Sequence, residues 1–258
     1  MNLKLTLKNI FNIYIRASLH VAFALTAFAY LSLSELKVVP QKNFFPFVFM
    51  SVLVGYNVLK YFHLSRKDIT FLKKNPIMWI ITLIATVFGL IFFFGFTLEY
   101  QIYGLLFSFL TLAYLYFRKW ALLKIFYVSF IIVAFTSFVP IISQGIFDSS
   151  YIYHALAWFF VIAAWMIPFE IIDSPKDHLL HKTIPQKIGL LNAKRLGYLF
   201  LILVAFIQYY FLELDFTKIF ILLISTLAIY FASPNRNFYY TAFWVEAIPL
   251  VWWAIEMT

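Results

Sequence analysis

Residues 165–197 read WMIPFEIIDSPKDHLLHKTIPQKIGLLNAKRLG, and the rest of the chain is best understood outward from them. Almost everything else in the sequence is hydrocarbon-soluble. This stretch leaves an apolar helix and at once presents Glu170, Asp173 and Asp177. Lys176, Lys182, Lys187, Lys194 and Arg195 accompany them, with Thr183-Ile184-Pro185 and Gly189 in between. A dense polar cluster at the mouth of a membrane protein is where a charged substrate would be met. Acids spaced 0, 3 and 7 apart can share one helical face, and carboxylates in a row are hard-oxygen ligands suited to magnesium. The lysines would then hold phosphate oxygens bridged by the metal. The same residues also read as ordinary solvated charges in a loop between membrane helices. Pro175 lacks a backbone donor, which allows a kink or a new helix start between the acids in place of one smooth face.

The composition places the chain in a membrane. It is 64% hydrophobic and 12% charged, with a mean hydropathy of +0.89, where a soluble domain carries about 25% charged residues. Several apolar runs reach the roughly 18–20 residues that cross a bilayer. They are continuous and not alternating, which argues against a barrel, and an open sheet edge cannot sit in lipid. The absence of cysteine leaves no disulfide framework, thiolate metal site or thiol nucleophile.

Nine candidate spans lie at roughly 12–33, 43–62, 77–97, 100–117, 122–143, 151–171, 195–213, 216–232 and 238–257. Short connections predict antiparallel neighbours in one bundle, a single domain over residues 1–258. Lys4, Lys8 and Arg16 precede the first apolar run. That run continues past Ala27-Phe28-Ala29, so it reads as an uncleaved first helix. With the N-terminus in the cytoplasm, every Lys and Arg except Lys37, Lys42 and Lys218 falls on the cytoplasmic side. Glu35, Glu99, Asp148, Glu213, Asp215 and Glu256 fall on the other, as does the C-terminus. This is the positive-inside pattern, and it accounts for the net charge of +9 without nucleic acid.

Nine helices and the acidic–basic stretch together resemble the UbiA superfamily of intramembrane prenyltransferases. That family has two acidic motifs on cytoplasmic loops after the second and sixth helices. The second reads D-x-x-D-x-x-x-D followed by a basic, Thr-x-Pro and Gly run. Glu170-Ile-Ile-Asp173-Ser-Pro-Lys-Asp177 has that spacing, and Lys182-Thr183-Ile184-Pro185 and Gly189 follow in order. Asn192 is placed as the N-cap of the next helix. The first motif, N-D-x-x-D-x-x-x-D, corresponds to Asn57-Val58-Leu59-Lys60-Tyr61-Phe62-His63-Leu64-Ser65. Asn57 is kept, but Tyr61 and Ser65 stand where the family has aspartates.

The resemblance implies an all-α integral membrane bundle of nine helices. It also implies Mg2+ on the diphosphate of an isoprenyl donor, and transfer of the prenyl group to an aromatic or lipid acceptor. The metals neutralise charge on the leaving diphosphate. Glu170, Asp173 and Asp177 would hold metal, while Asn57, Lys60, Lys119, Lys124 and Lys182 would contact the diphosphate. With one carboxylate cluster lost, Lys60, Arg66 and Lys67 are candidate replacements as a cationic clamp; equally, Lys60 marks a helix end by snorkelling. Arg118, Lys119 and Lys124 serve either diphosphate binding or topology.

Glu246 lies mid-span in FWVEAIPLVWW, where an ionisable group is expensive and functional by default. It is a candidate proton acceptor, or a helix-pairing group. Pro140, Pro168 and Pro249 are candidate helix breaks around a cavity. The 22% aromatic content fits both carbocation shielding and ordinary lipid-facing surface. His178 and His181 are spaced for a metal pair but lack a third ligand nearby.

The sequence therefore carries two leading readings, a Mg2+-dependent prenyltransferase or a catalytically degenerate relative that binds isoprenoid or lipid or serves in assembly. Transport is a weaker third, because intramembrane charges beyond Glu246 are scarce.

Overall fold

The computed structural model describes residues 3–67, 76–117, 119–145, 148–175 and 183–258, with side chains described except at 3–6, 62–67 and 121. Arg118, Lys176, Asp177, His178, His181 and Lys182 lie outside the described residues, as do the side chains of Ser65, Arg66 and Lys67.

Among the described residues the regular structure is all helical, joined by turns and short irregular stretches. In order it forms α1 (Leu3–Arg16), α2 (Leu19–Glu35), α3 (Phe44–Lys67), α4 (Pro76–Phe94) and α5 (Leu98–Phe117). Then come α6 (Ala121–Val133), a π-helical turn at Ala134–Phe138 and α7 (Val139–Ile142). The rest comprises α8 (Ser150–Asp173), α9 (Ile184–Ile188), α10 (Leu190–Phe211), α11 (Phe216–Phe231), a second π-helical turn at Tyr240–Val245 and α12 (Ile248–Glu256).

Among the described residues, six units are long and apolar enough to cross a bilayer: α3, α4, α5, α6 through α7, α8 and α10. The bent pair α1–α2 makes a seventh. The apolar α11 is shorter, at 16 residues, and the last segment is split between a π turn and α12. Length and composition thus establish a multi-pass helical membrane protein with six or seven spans.

The expected first span at 12–33 is not one helix. Its halves meet at 56°, because Ser18 adopts a left-handed conformation with φ of 62° that α-helix cannot contain. Of the prolines expected to break helices, Pro140 and Pro249 each closely follow a π-helical turn, while Pro168 sits inside continuous α8. Asn192 also departs from expectation. It lies inside the first turn of α10, whose N-cap is Gly189, and its side chain donates to Ile188 O at 2.9 Å.

Helix α8 is the axis of the bundle. Of its span 67% is buried, against 11% for α5, and it packs against α6, α10 and α11. A helix apolar on every face is what a core position requires. Ala163 and Ala164 let neighbours approach closely, and Trp165 Nε1 donates to Ser225 Oγ of α11 at 2.8 Å. Gly197 of α10 fits where a Cβ would stand 2.9 Å from Ile229 and 3.3 Å from Ile167. Helices α4 and α5 are peripheral, with Leu83, Phe94, Leu105 and Phe109 exposed on lipid-compatible faces.

Two ends of the bundle differ in charge. At one, Lys218 of α11 pairs with Glu35 of α2 at 2.7 Å and with Asp215 at 3.5 Å, and donates to Glu213 O at 2.7 Å. That network explains why Lys218 departs from the general bias of basic residues to the other end. At the basic end, Lys194 and Arg236 close α11 by donating to Tyr230 O and Phe231 O at 2.6 and 3.2 Å, the usual use of cations at helix C-termini.

Replacing Gly197 with leucine is expected to overpack the α8–α10–α11 contact and lower stability by about 1–3 kcal/mol. Thermal unfolding in detergent, compared with an exposed control such as Leu199→Ala, reads this directly.

Candidate functional site

The basic end gathers the residues of interest from α1, α3, α6, α8 and the segment before α12. On α3, Asn57 is fully buried and all its capacity is engaged within the fold. Its Nδ2 donates to Ala17 O at 3.1 Å and to Thr82 Oγ1 of α4 at 2.9 Å, and its Oδ1 accepts from Ser18 Oγ at 2.7 Å. One turn on, Tyr61 donates its hydroxyl to Arg16 O at 2.8 Å. The two side chains close the α1–α2 break by satisfying carbonyls that α1 leaves without partners. An ionised aspartate at position 61 would bring an acceptor to an acceptor. The residues at two first-motif positions are thus joined to the break at Ser18, and each makes sense only with it.

On α8, Glu170 is 2% exposed and both of its oxygens are engaged. Oε1 makes a close ion pair with Lys124 Nζ of α6, and Oε2 accepts from the Ile184 N–H at 3.1 Å. The second donor is presented by α9, which is started by Pro185 in its first turn and by Gln186, whose Oε1 accepts from Thr183 N–H at 2.9 Å. Gly189, with φ of 83°, turns the chain from α9 into α10, a conformation that favours glycine. The Thr-Ile-Pro and Gly positions therefore build a backbone loop that returns to the carboxylate of α8. Asp173, the last residue of α8, is partly buried and contributes to the field at Lys60.

Lys60 is the centre of a second polar group. It sits one turn after Tyr56 on the same face of α3. Its ammonium lies 5.2 Å from the ring centres of both Tyr61 and Phe238, a cation–π arrangement. Glu246, Arg16 and Asp173 all act on it electrostatically, and Glu246 acts also on Tyr56 and Tyr14. Tyr56, Lys60 and Glu246 are each half-buried. Nearby, His20 bridges α2 to the π turn. Phe243 O can only accept, so His20 Nε2 carries the proton it shares at 2.9 Å, leaving Nδ1 of the neutral ring to accept from Tyr14 OH at 2.9 Å.

The structure thus brings together Lys60, Glu246 and Asp173, and separately Glu170 with Lys124. Asn57 is sealed in its junction. Lys119 is exposed and rests over Tyr116 at 5.3 Å. Asp177 and Lys182 lie outside the described residues. Tyr14, Tyr56 and His20 were not singled out from sequence; the four-residue step from Tyr56 to Lys60 was the available signal. A separate hollow of about 470 Å³ lies between α11 and the second π turn, against Leu227, Phe231, Arg236, Tyr240 and Trp244. Trp244 there is 67% exposed, so this hollow opens outward, apart from the polar group.

The donor set bears directly on the metal that the resemblance implies. Among the described residues no three His, Asp or Glu side chains converge as a metal site. Glu170 already meets a cation and a backbone donor, and Tyr61 offers no carboxylate. Asp177, the third of the expected metal ligands, lies outside the described residues.

No family model matches the chain, and no curated protein matches its sequence. A solved apo structure of a UbiA homolog from Aeropyrum pernix K1 does match in three dimensions. Its TM-score is 0.61 at 12% identity, covering 93% of this chain and 98% of that one. At such identity the likeness is one of architecture, and it extends over nearly all of both chains: this protein has the UbiA fold.

Proposed function

We propose that the chain is a nine-span protein of UbiA fold in the cytoplasmic membrane, its N-terminus cytoplasmic and its C-terminus opposite, that binds an isoprenoid or lipid amphiphile by its head group without metal-dependent transfer. The observation that carries this reading is the state of Glu170. A buried carboxylate needs a cation and hydrogen bonds to offset desolvation, and Lys124 and the Ile184 N–H supply both. An internal lysine thus does what a bound metal would do, and it offers no open coordination position for a diphosphate. Tyr61 in the α1–α2 junction supports the same conclusion on the other side. Among the described residues of that group, Lys60 is the cation proposed to meet an anionic head, with Arg16 as a second.

The transferase reading keeps one specific support, the 170–173–177 acid spacing ahead of a Thr-Ile-Pro turn. In that reading Asp173 and Asp177 would bind Mg2+ and an isoprenyl diphosphate, and Glu246 would take a proton from a hydrophobic acceptor.

The two are separated by titrating farnesyl diphosphate into the purified protein in Mg2+ and in EDTA. Binding that survives EDTA and Asp173→Ala, but weakens about tenfold in Lys60→Met, is expected. Binding or diphosphate release that needs Mg2+ and disappears in Asp173→Ala would restore the transferase reading. The ion pair makes its own forecast. Lys124→Met should cost about 3–5 kcal/mol by stranding a buried carboxylate, with most of it recovered in the Lys124→Met/Glu170→Met double variant. Were Glu170 neutralised by metal, the single variant would be tolerated in Mg2+, as denaturant unfolding would reveal.

A further inference from the structure

The hollow of about 470 Å³ between α11 and the second π turn belongs to neither the polar group nor the core. Its walls are two stripes. Ile224, Leu227, Ala228 and Phe231 line it from α11, at the spacing of one helical face. Arg236, Tyr240, Trp244 and Ile248 line it from the other side, at steps of four residues. Phe231 and Arg236 lie at the basic end, and from Phe231 back to Ile224 helix α11 covers about 10 Å. The hollow is therefore a groove that enters the bilayer beside Arg236. Leu227, Phe231 and Trp244 are exposed along it, so it is open to lipid. Ala228 is the small residue of the α11 wall, and Tyr240 fixes the opposite wall by donating its hydroxyl to Ala228 O at 2.7 Å.

Of the residues that line the groove, Arg236 alone is charged. Its Nε donates to Phe231 O at 3.2 Å, and its guanidinium lies 5.4 Å from the ring centre of Tyr240. Those two contacts fix its position at the mouth. Among the described residues no carboxylate pairs with it, and the side chain is exposed. A guanidinium has donors on all three nitrogens, so one engaged Nε leaves the terminal pair for bidentate contact with a phosphate. We infer that this groove binds an anionic membrane phospholipid, with an acyl chain along α11 and the phosphate at Arg236. Basic pockets between membrane helices on the cytoplasmic side take acidic head groups in this way. A zwitterionic head would bring its ammonium beside Arg236, with no acid among the lining residues to receive it. A second protein copy would have to cover Arg236 and leave it desolvated unless it brought an acid. The site is separate from Lys60 and Glu246, so it goes beyond the head-group reading above and stands independently of it.

The test uses the full-length protein, stripped of lipid in a neutral detergent and titrated with phosphatidylglycerol and phosphatidylcholine of matched chains. Native mass spectrometry counts the bound lipid, and circular dichroism confirms the fold of each variant. Phosphatidylglycerol is expected to bind about tenfold more tightly than phosphatidylcholine. Arg236→Met should erase that preference, and Arg236→Lys should keep part of it, because lysine retains the charge without the fork. Ala228→Leu, which leaves the charge in place, should fill the groove and weaken both lipids. Glycerol phosphate, a head without chains, should not displace the lipid at equal concentration. Equal binding of the two lipids, displacement by glycerol phosphate, or a preference that survives Arg236→Met would overturn the inference. So would a preference lost as fully in Lys60→Met, or in the exposed Lys119→Met, which would mean binding elsewhere or diffuse attraction to the basic end. A lipid-free protein dimer that Ala228→Leu dissociates would give the groove to a second copy and overturn it as well.

Discussion

In hydrocarbon there is no water to satisfy a backbone carbonyl, so each place where a membrane helix breaks must bring its own donor. The architecture at the basic end reflects that constraint. Where α1 stops short of α2, Tyr61 and Asn57 reach across from α3 to Arg16 O and Ala17 O. At the second π turn before α12, His20 of α2 adds a second donor to Phe243 O, which also accepts from Ala247 N–H. Where α11 ends, Lys194 and Arg236 take its last carbonyls. Each donor comes from a different element than the break it serves, or from beyond the helix end. The hydrogen bonds that satisfy the breaks therefore also tie the helices together.

That constraint bears on the chemistry. A position that must donate to a carbonyl cannot hold an ionised carboxylate, so the hydroxyl of Tyr61 and the lost first-motif acid are one fact seen from two sides. The left-handed Ser18 creates the carbonyls, Tyr61 and Asn57 satisfy them, and Asn57 is fixed further by Thr82 of α4. Restoring an aspartate at 61 alone would unseat this junction without assembling a metal site, because Ser65 is not acidic either.

The apolar segments and their order were legible in the sequence because membrane spanning is a local property, set by run length and hydropathy. So was the polar stretch at 165–197, and with it a fold whose likeness to a UbiA homolog extends over 93% of the chain. Three features were not legible. The bend at Ser18 depends on one residue's φ, and serine carries no strong signal for it. The pairing of Lys124 with Glu170 joins α6 to α8 across the bundle, and nothing local distinguishes a lysine that neutralises a carboxylate from one that orients a loop. The π turns before Pro140 and Pro249 were legible only as prolines, since Pro168 has the same local appearance yet sits in an unbroken helix.

The difference between Pro168 and Pro249 shows how packing decides such cases. Proline removes one donor wherever it falls, but α8 is enclosed by α6, α10 and α11, whose contacts hold its axis through the missing bond. The last segment packs chiefly on α2 and α11 and exposes Trp244 and Trp253. The ladder is irregular there, and the residue at the end of the π turn is Glu246. An acid that would be costly on a regular lipid-facing helix is tolerated because the irregular turn directs it inward, toward Lys60. Helix irregularity, buried acid and the lysine held apart from it thus form one arrangement, and Asp173, acting on that lysine from the end of α8, joins it to the acidic stretch.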